Sequence, residues 1–405
     1  MAFACFARPR DLSRSTRQGR REALISVQSP DTTAATRYGS FAPQRLQSAA
    51  AASTWFDRGS VPALDGMRAV SVLLVMAAHS GLQNLVPGGF GVTMFFFISG
   101  FLITTLMLRE TREDGRVNVA AFYARRVVRL YPPLLAYLLV VVAVRWLLLS
   151  ERVDPIGLAG ALFYGGNYLV ALAPGRIESL GPHLWSLAVE EHFYLFYPLV
   201  FVWLQRSGRP LALLMALCAL ALAARVAYVL VGVPASYVMV ATETRFDSIL
   251  YGALLAFASA RPELRRRLSD CAGPATLASG AALLVGSLLI RDPLFRETAR
   301  YSVQGVALLA IFTALLFAPG RSVIVQALDS RAARWIGALS YSLYLWHGAA
   351  FVAAHYALDG RAPAGAVVAL GWIAAFVTAW GAYTMIEKPL FALRRRLGSH
   401  ARSVA

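Results

Sequence analysis

From residue 60 onward the chain alternates between long apolar stretches and short breaks that carry its arginines. Ten stretches stand out, near 62–83, 90–108, 131–149, 183–204, 211–232, 246–260, 273–290, 300–318, 336–356 and 365–385. Most are about as long as a helix needs to cross a hydrocarbon layer roughly 30 Å thick. Helices satisfy every backbone N–H and C=O within the segment, which lipid demands. The pattern predicts an all-α integral membrane protein with about ten transmembrane helices. An eleventh stretch, 156–174, is weaker and carries Gly165-Gly166-Asn167 at its centre.

The distribution of positive charge sets the topology, because short cytosolic loops are enriched in Arg and Lys. With ten spans and the N-terminus inside, the inner loops 109–130, 205–210, 261–270 and 319–335 and the tail 386–405 hold 20 Arg or Lys. The outer loops 84–89, 150–182, 233–245, 291–299 and 357–364 hold 6. Making 156–174 a full span would reverse this bias for the second half of the chain. It is therefore expected as a re-entrant or peripheral outer segment, with both termini cytosolic. The predicted setting is the inner (plasma) membrane, crossed many times. Segment 119–133 (VAAFYARRVVRLYPP) then lies just inside the membrane, where Pro132 and Pro133 are expected to break or redirect the chain.

Composition agrees and removes one alternative. The chain is 58% hydrophobic and 15% charged, with a formal charge of +17. In a soluble protein that charge would suggest nucleic acid. Here the arginines cluster between apolar runs, so topology explains them and no nucleic-acid partner is expected. Residues 1–58 differ, with nine arginines, many Ala, Ser and Thr, and no periodic face. They read as a disordered basic extension, followed by a transmembrane domain over 59–392 and a basic cytosolic tail over 393–405. The FALRRRL segment near the end has the character of a basic surface helix that would meet anionic membrane lipid. Cys5, Cys218 and Cys271 show no metal-ligand spacing, and no metal is expected.

Ionisable residues inside apolar stretches mark functional candidates. In LDGMRAVSVLLVMAAHSG (64–81), Arg68 and His79 lie eleven residues apart. On a regular helix they would project within about 20° of each other and about 16 Å apart along the axis. A bland account also exists: a membrane histidine can bond a neighbouring helix, and Arg68 can snorkel to the surface. HLWSLAVEEHFYLFYP (183–198) puts Glu190, Glu191 and His192 inside an apolar stretch. Neighbours on a helix point about 100° apart, so the two glutamates cannot line one cavity equally. SYSLYLWHG (340–348) sets Ser340, Tyr344 and His347 on one face, suited either to function or to interhelical hydrogen bonding. In GGFGVTMFFFISGFLIT (89–105), Gly91, Ser99 and Gly100 are small residues suited to close helix packing.

Seven segments in order, LDGMRAVSVLLVMAAHSG, GGFGVTMFFFISGFLITTLMLRE, FYARRVVRLYP, LGPHLWSLAVEEHFYLFYPL, TRFDSILYGALLA, IGALSYSLYLWH and YTMIEKPL, resemble the acyltransferase-3 family of membrane acyltransferases. That family O-acetylates bacterial surface glycans and related molecules, and the resemblance covers roughly residues 60–392. Arg68 and His79 fill its Arg-then-His pattern in the first span, and Arg126 and Arg129 fill its Arg-x-x-Arg ahead of the third. The resemblance implies that these arginines, with Arg125 beside them, hold a CoA-type acyl donor and that the histidine is essential. Thr93 stands where many relatives carry an acidic residue, and His192 where Gln is expected. No outer esterase-like domain of the kind fused to some relatives is expected.

The implied reaction is transfer of an acyl group, acetyl by the family's habit, from cytosolic acyl-CoA to a hydroxyl of a glycan or lipid-linked acceptor. A neutral imidazole suits the role of base, and guanidinium groups suit the donor's phosphates. Glu190 is expected to orient His79 or the acceptor. A covalent relay through His79 or a serine is the alternative within this reading. The rivals outside it are a glycolipid transporter or flippase and a membrane-bound O-acyltransferase-type enzyme with longer acyl donors.

Overall fold

The computed structural model describes residues 61–396 apart from Pro62, Pro319, Arg321, Asp359 and Gly360, and every regular element among them is helical. The expected basic extension 1–58 lies outside the described residues, as does most of the tail 393–405. The helices that matter here are α1 (Leu64–Ala77), α2 (Gly88–Asp114), α3 (Val119–Leu148), α4 (Pro155–Leu162), α5 (Gly166–Leu172), α6 (Trp185–Arg206), α7 (Pro210–Leu230) and α8 (Ala235–Val240). They continue with α9 (Thr242–Ala260), α10 (Pro262–Cys271), α11 (Pro274–Leu289), α12 (Pro293–Glu297), α13 (Arg300–Phe317), α14 (Val323–Leu328), α15 (Arg331–Leu358), α16 (Ala364–Ala382) and α17 (Lys388–Arg396).

All ten apolar stretches coincide with helices, but the expected ten spans are not all full-length apolar rods. Among the described residues six helices are long and apolar enough to cross a membrane: α2, α3, α6, α7, α13 and α16. The pair α10–α11, bent by 83°, would make a seventh if it is one span. The remaining stretches fall short for physical reasons. Helix α1 has only 14 residues before its register changes. Helix α9 carries Glu243, Arg245 and Asp247, and α15 interrupts its apolar run with Ser340, Ser342, Tyr344 and His347. Stretch 156–174 folds as the short pair α4 and α5, neither long enough to cross alone.

Pro132 and Pro133 do not break the chain: α3 runs through both as one helix of 30 residues. Membrane helices tolerate proline where neighbouring groups cover the freed backbone.

The site is framed by α1, α2, α3, α6 and α15, with α9 packed behind α2. Helix α15 packs against α1 and α16, and α2 packs against α1 and α9. The α2–α9 crossing is backbone to backbone. A Cβ on Gly100 would lie 1.9 Å from the Ile249 carbonyl oxygen, and one on Gly252 would lie 1.9 Å from that of Phe97. Gly100 thus has the packing role expected of it. Because only residues 83–87 separate the turn after α1 from α2, the end of α1 and the start of α2 share one end of the bundle.

Candidate active site

At that end the helical register changes. After Ala77 the chain forms a π turn, Ala78–Leu82, in which Ser80 has φ −86° and ψ 17° and Gly81 has φ 98°. A left-handed φ is open to glycine at little cost, so Gly81 lets the helix unwind at His79. Single π turns often mark functional positions. The regular-helix geometry expected between Arg68 and His79 therefore stops at the histidine.

His79 meets a second histidine from α15. Its Nδ1 lies 2.8 Å from His347 Nε2, and the two rings stack 5.0 Å apart at 17°. The direction of that hydrogen bond follows from the other side of His347. Its Nδ1 lies 2.7 Å from the Tyr344 carbonyl oxygen and 3.2 Å from that of Leu343. A carbonyl only accepts, so Nδ1 carries the proton, and Nε2 of the neutral ring accepts from His79 Nδ1–H. This assignment leaves the lone pair of His79 on Nε2, and His79 is exposed while His347 is fully buried. His183 completes the cluster. Its ring lies 4.7 Å from that of His347, and its Nε2–H donates to the Leu345 carbonyl at 3.2 Å. Sequence reading raised His347 only as part of a polar stripe and passed over His183. The signal for both was an ionisable residue in an apolar run.

The expected donor residues meet elsewhere. A cavity of about 60 Å³ is lined by Arg68 from α1, Arg126 and Arg129 from α3, Ser99 from α2, and Glu190 and Tyr194 from α6. Ser99 donates to the Glu190 carboxylate, and the Tyr194 hydroxyl donates to Ser99 Oγ at 3.1 Å. The Arg126 guanidinium sits 4.7 Å from the centre of the Tyr194 ring. Arg126 and Arg129 have no hydrogen-bond or ion-pair partner among the described residues. Three guanidiniums thus line the cavity with one carboxylate, Glu190, and of the three Arg68 alone has an ion-pair partner, Asp65 at 4.0 Å outside the lining.

Several expectations are revised here. Arg125 turns away to Glu110, 3.4 Å distant, and does not line the cavity. Glu190 lines it and Glu191 does not, as the 100° offset requires. Of the two roles expected of Glu190, orienting His79 or orienting the acceptor, the first falls to His347, which bonds His79, while Glu190 accepts from Ser99. Ser99, expected in helix packing, is a cavity residue. His192 bonds Thr242 Oγ1 at 2.7 Å, away from both clusters.

One layer of side chains separates the cavity from the histidines. Tyr344 and Ser186 line the cavity's inner end. The Tyr344 hydroxyl donates to the His183 carbonyl at 2.8 Å and accepts from Ser186 Oγ at 2.5 Å. The Tyr344 ring lies 5.7 Å from that of His347. The arrangement offers phosphate-type recognition at one end, an unprotonated ring nitrogen at the other, and a hydrogen-bonded wall between.

A further polar centre has no such openness. Arg225 of α7 and Asp247 of α9 are both fully buried and joined twice, Nη1 to Oδ1 at 2.9 Å and Nη2 to Oδ2 at 2.6 Å. Arg225 also donates to the carbonyls of Thr298 and Thr244 and to Ser302 Oγ, so all five of its N–H groups are used. Satisfied on every side, it ties α7, α9 and α13 together.

Comparison with known proteins identifies the family. Residues 61–386 match the family model described as an acyltransferase domain, Acyl_transf_3. The O-acetyltransferase OatA of Staphylococcus aureus strain NCTC 8325 is 30% identical over 375 residues, 85% of this chain and 60% of the relative. A protein of strain COL, named provisionally as an O-acetyltransferase, is 30% identical over 325 residues, 75% of this chain and 53% of the relative. The chain thus spans between about half and three fifths of the length of these curated relatives. No solved structure gives a significant match. With the family's domain running from the first described residue through every helix from α1 to α16, this chain belongs to the acyltransferase-3 family of membrane acyltransferases.

Proposed function

We propose that the chain is a membrane O-acyltransferase that moves an acetyl group from cytosolic acyl-CoA to a hydroxyl of an envelope glycan or lipid-linked sugar. The observation that carries this reading is the His79–His347 pair, which leaves Nε2 of the exposed His79 without a hydrogen and free to take a proton. The excess of guanidinium over carboxylate in the cavity supports a phosphorylated donor. The names of the relatives support acetyl as the group transferred.

The donor supplies an activated thioester carbonyl. Arg68, Arg126 and Arg129 would hold its phosphates from the cytosolic side, under a topology of ten spans with both termini inside the plasma membrane. His79 Nε2 takes the proton of the acceptor hydroxyl as its oxygen attacks the carbonyl carbon. The carbon–sulfur bond breaks, and the proton passes from His79 to the leaving thiolate, so charge and atoms balance. His347 fixes the His79 ring by accepting from Nδ1–H. Between the two ends, the Tyr344–Ser186 wall must part for the thioester to reach His79.

The test is mass spectrometry of envelope glycans and glycolipids from cells lacking the gene, complemented with wild type or His79→Ala at matched membrane levels. Loss of an acyl group on deletion, restored by wild type alone, supports the proposal and identifies the acceptor. Full restoration by His79→Ala would remove the proposed base, and no acyl change at all would favour a transporter.

A further inference from the structure

A second set of arginines lies on the far side of Phe96 from the donor cavity. Arg245, near the start of α9, is only 2% exposed. Its Nη2 donates to Thr93 Oγ1 at 3.1 Å and its Nη1 to the Met239 carbonyl at 3.3 Å, while its Nε is buried without a partner. No carboxylate among the described residues stands within ion-pair distance of it. Its guanidinium instead lies 3.8 Å from the centre of the Tyr301 ring and 5.6 Å from the rings of Phe96 and Trp185. Arg300 approaches the same tyrosine, 4.9 Å from its centre, and donates to its hydroxyl at 3.0 Å. The Nε of Arg300 is also buried and unpartnered.

The acid nearest in this network is already committed. Asp247 gives both oxygens to Arg225, so three guanidiniums share one carboxylate. Cation–π contact offsets part of the cost of burying Arg245, yet a buried charge without a counter-charge is costly. The backbone adds to the imbalance. Thr93, Trp185, Arg245 and Arg300 all lie within the first two turns of their helices, α2, α6, α9 and α13. Four helix N-termini therefore direct their positive dipole ends toward one region. The half-buried Trp185 and Arg300 bring this region to the surface.

We infer that Arg245 and Arg300 form a phosphate-binding subsite, distinct from the donor cavity and on the histidine side of the bundle. A guanidinium fork suits phosphate oxygens, and each arginine retains an unpartnered Nε–H. The phosphate has two possible sources, an anionic lipid headgroup or the phosphorylated portion of a lipid-linked acceptor. Only the second attribution rests on the acyl-transfer reading; the subsite itself does not.

The test uses the full chain, purified in neutral detergent, and follows its unfolding temperature against inorganic phosphate. A second arm compares nanodiscs of phosphatidylcholine with and without phosphatidylglycerol. With coenzyme A present throughout to occupy the donor cavity, saturating phosphate should raise the unfolding temperature of wild type by about 2 °C. Arg245→Gln should lose that rise, and Arg300→Gln should lose most of it. If only phosphatidylglycerol gives an Arg245-dependent rise, the source is a headgroup; if inorganic phosphate does so too, a soluble or acceptor phosphate fits. Equal rises in wild type and Arg245→Gln, or no rise with either probe, overturn the subsite. Should Arg245→Gln fail to fold, an undiminished rise in Arg300→Gln overturns it equally. Loss of acyl transfer with the Arg245-dependent rise intact would count against the reaction and not against the subsite.

Discussion

Arg225 and Arg126 show two ways of placing arginine among apolar helices. Arg225 is enclosed by acceptors that use every one of its N–H groups and by a carboxylate that cancels its charge. Arg126 lines a cavity beside Arg68 and Arg129, leans on an aromatic ring, and finds no ion-pair partner. The first arrangement is complete without a ligand. The second has the charge and donor capacity that an anion would complete. Accounting for every donor separates the two more clearly than burial does.

The comparison breaks most sharply at the histidines. His79→Ala should lower kcat by about 10²–10⁴-fold with membrane levels unchanged, measured as thioester-dependent acylation in isolated membranes. His347→Phe, which leaves His79 Nδ1–H without its acceptor, should lower kcat by about 10²-fold through misplacement of the ring. Its KM for the donor should stay near wild type. A large rise in KM instead would show that His347 acts on the donor.

Next comes the closed centre. Arg225→Met strands Asp247 in an apolar interior and should destabilise the fold by about 3–5 kcal/mol, read as loss of folded protein from membranes. Arg225→Met with Asp247→Leu should regain most of that loss, since removing both partners leaves no buried charge. Failure of the double substitution would mean that Asp247 has duties beyond pairing with Arg225.

Arg126→Gln should behave in the opposite way, leaving stability intact while raising donor KM about tenfold. That is the order expected for losing one charge-assisted hydrogen bond. Higher salt should shrink the difference.

The smallest effect lies outside the spans. Asp154 caps α4, accepting from Gly157 N–H at 2.9 Å and Ile156 N–H at 2.8 Å. The bond from Gly157, then that from Ile156, holds its carboxyl below the ordinary carboxylate range. A lowered folded pKa contributes stability above the unfolded pKa, and that stability is lost as pH falls through the folded value. Asp154→Ala should therefore reduce protection of α4 from hydrogen exchange slightly at neutral pH and not at all in strong acid.

Legibility in the sequence followed the range of the interaction. Apolar runs locate the long helices of the bundle because lipid acts on each segment separately, whereas the short helices α8, α10, α12 and α14 fall in stretches that read as loops. The 100° offset between Glu190 and Glu191 holds for the same reason: it belongs to a single helix. What escaped was relational. His79 and His347 stand 268 residues apart, and no spacing rule reaches that far. Ser99 looked like a packing residue because its size is visible in the sequence and its neighbour Glu190 is not. Arg125 sits beside Arg126 in the chain yet faces Glu110, a distinction only the helix orientation makes. The π turn after Ala77 depends on a single left-handed glycine within an otherwise helical pattern.

The paired glycines of α2 and α9 have a mechanical consequence. With main chains in van der Waals contact through Gly100 and Gly252, neither helix can slide or roll against the other without backbone collision. We expect them to act as one pillar, with Ser99 on one and Arg245 on the other held in fixed relation. Movement that opens a passage between donor and acceptor must then come from the opposite wall. There α6 and α15 meet across the hydroxyls of Ser186 and Tyr344, and parting them breaks that hydrogen bond.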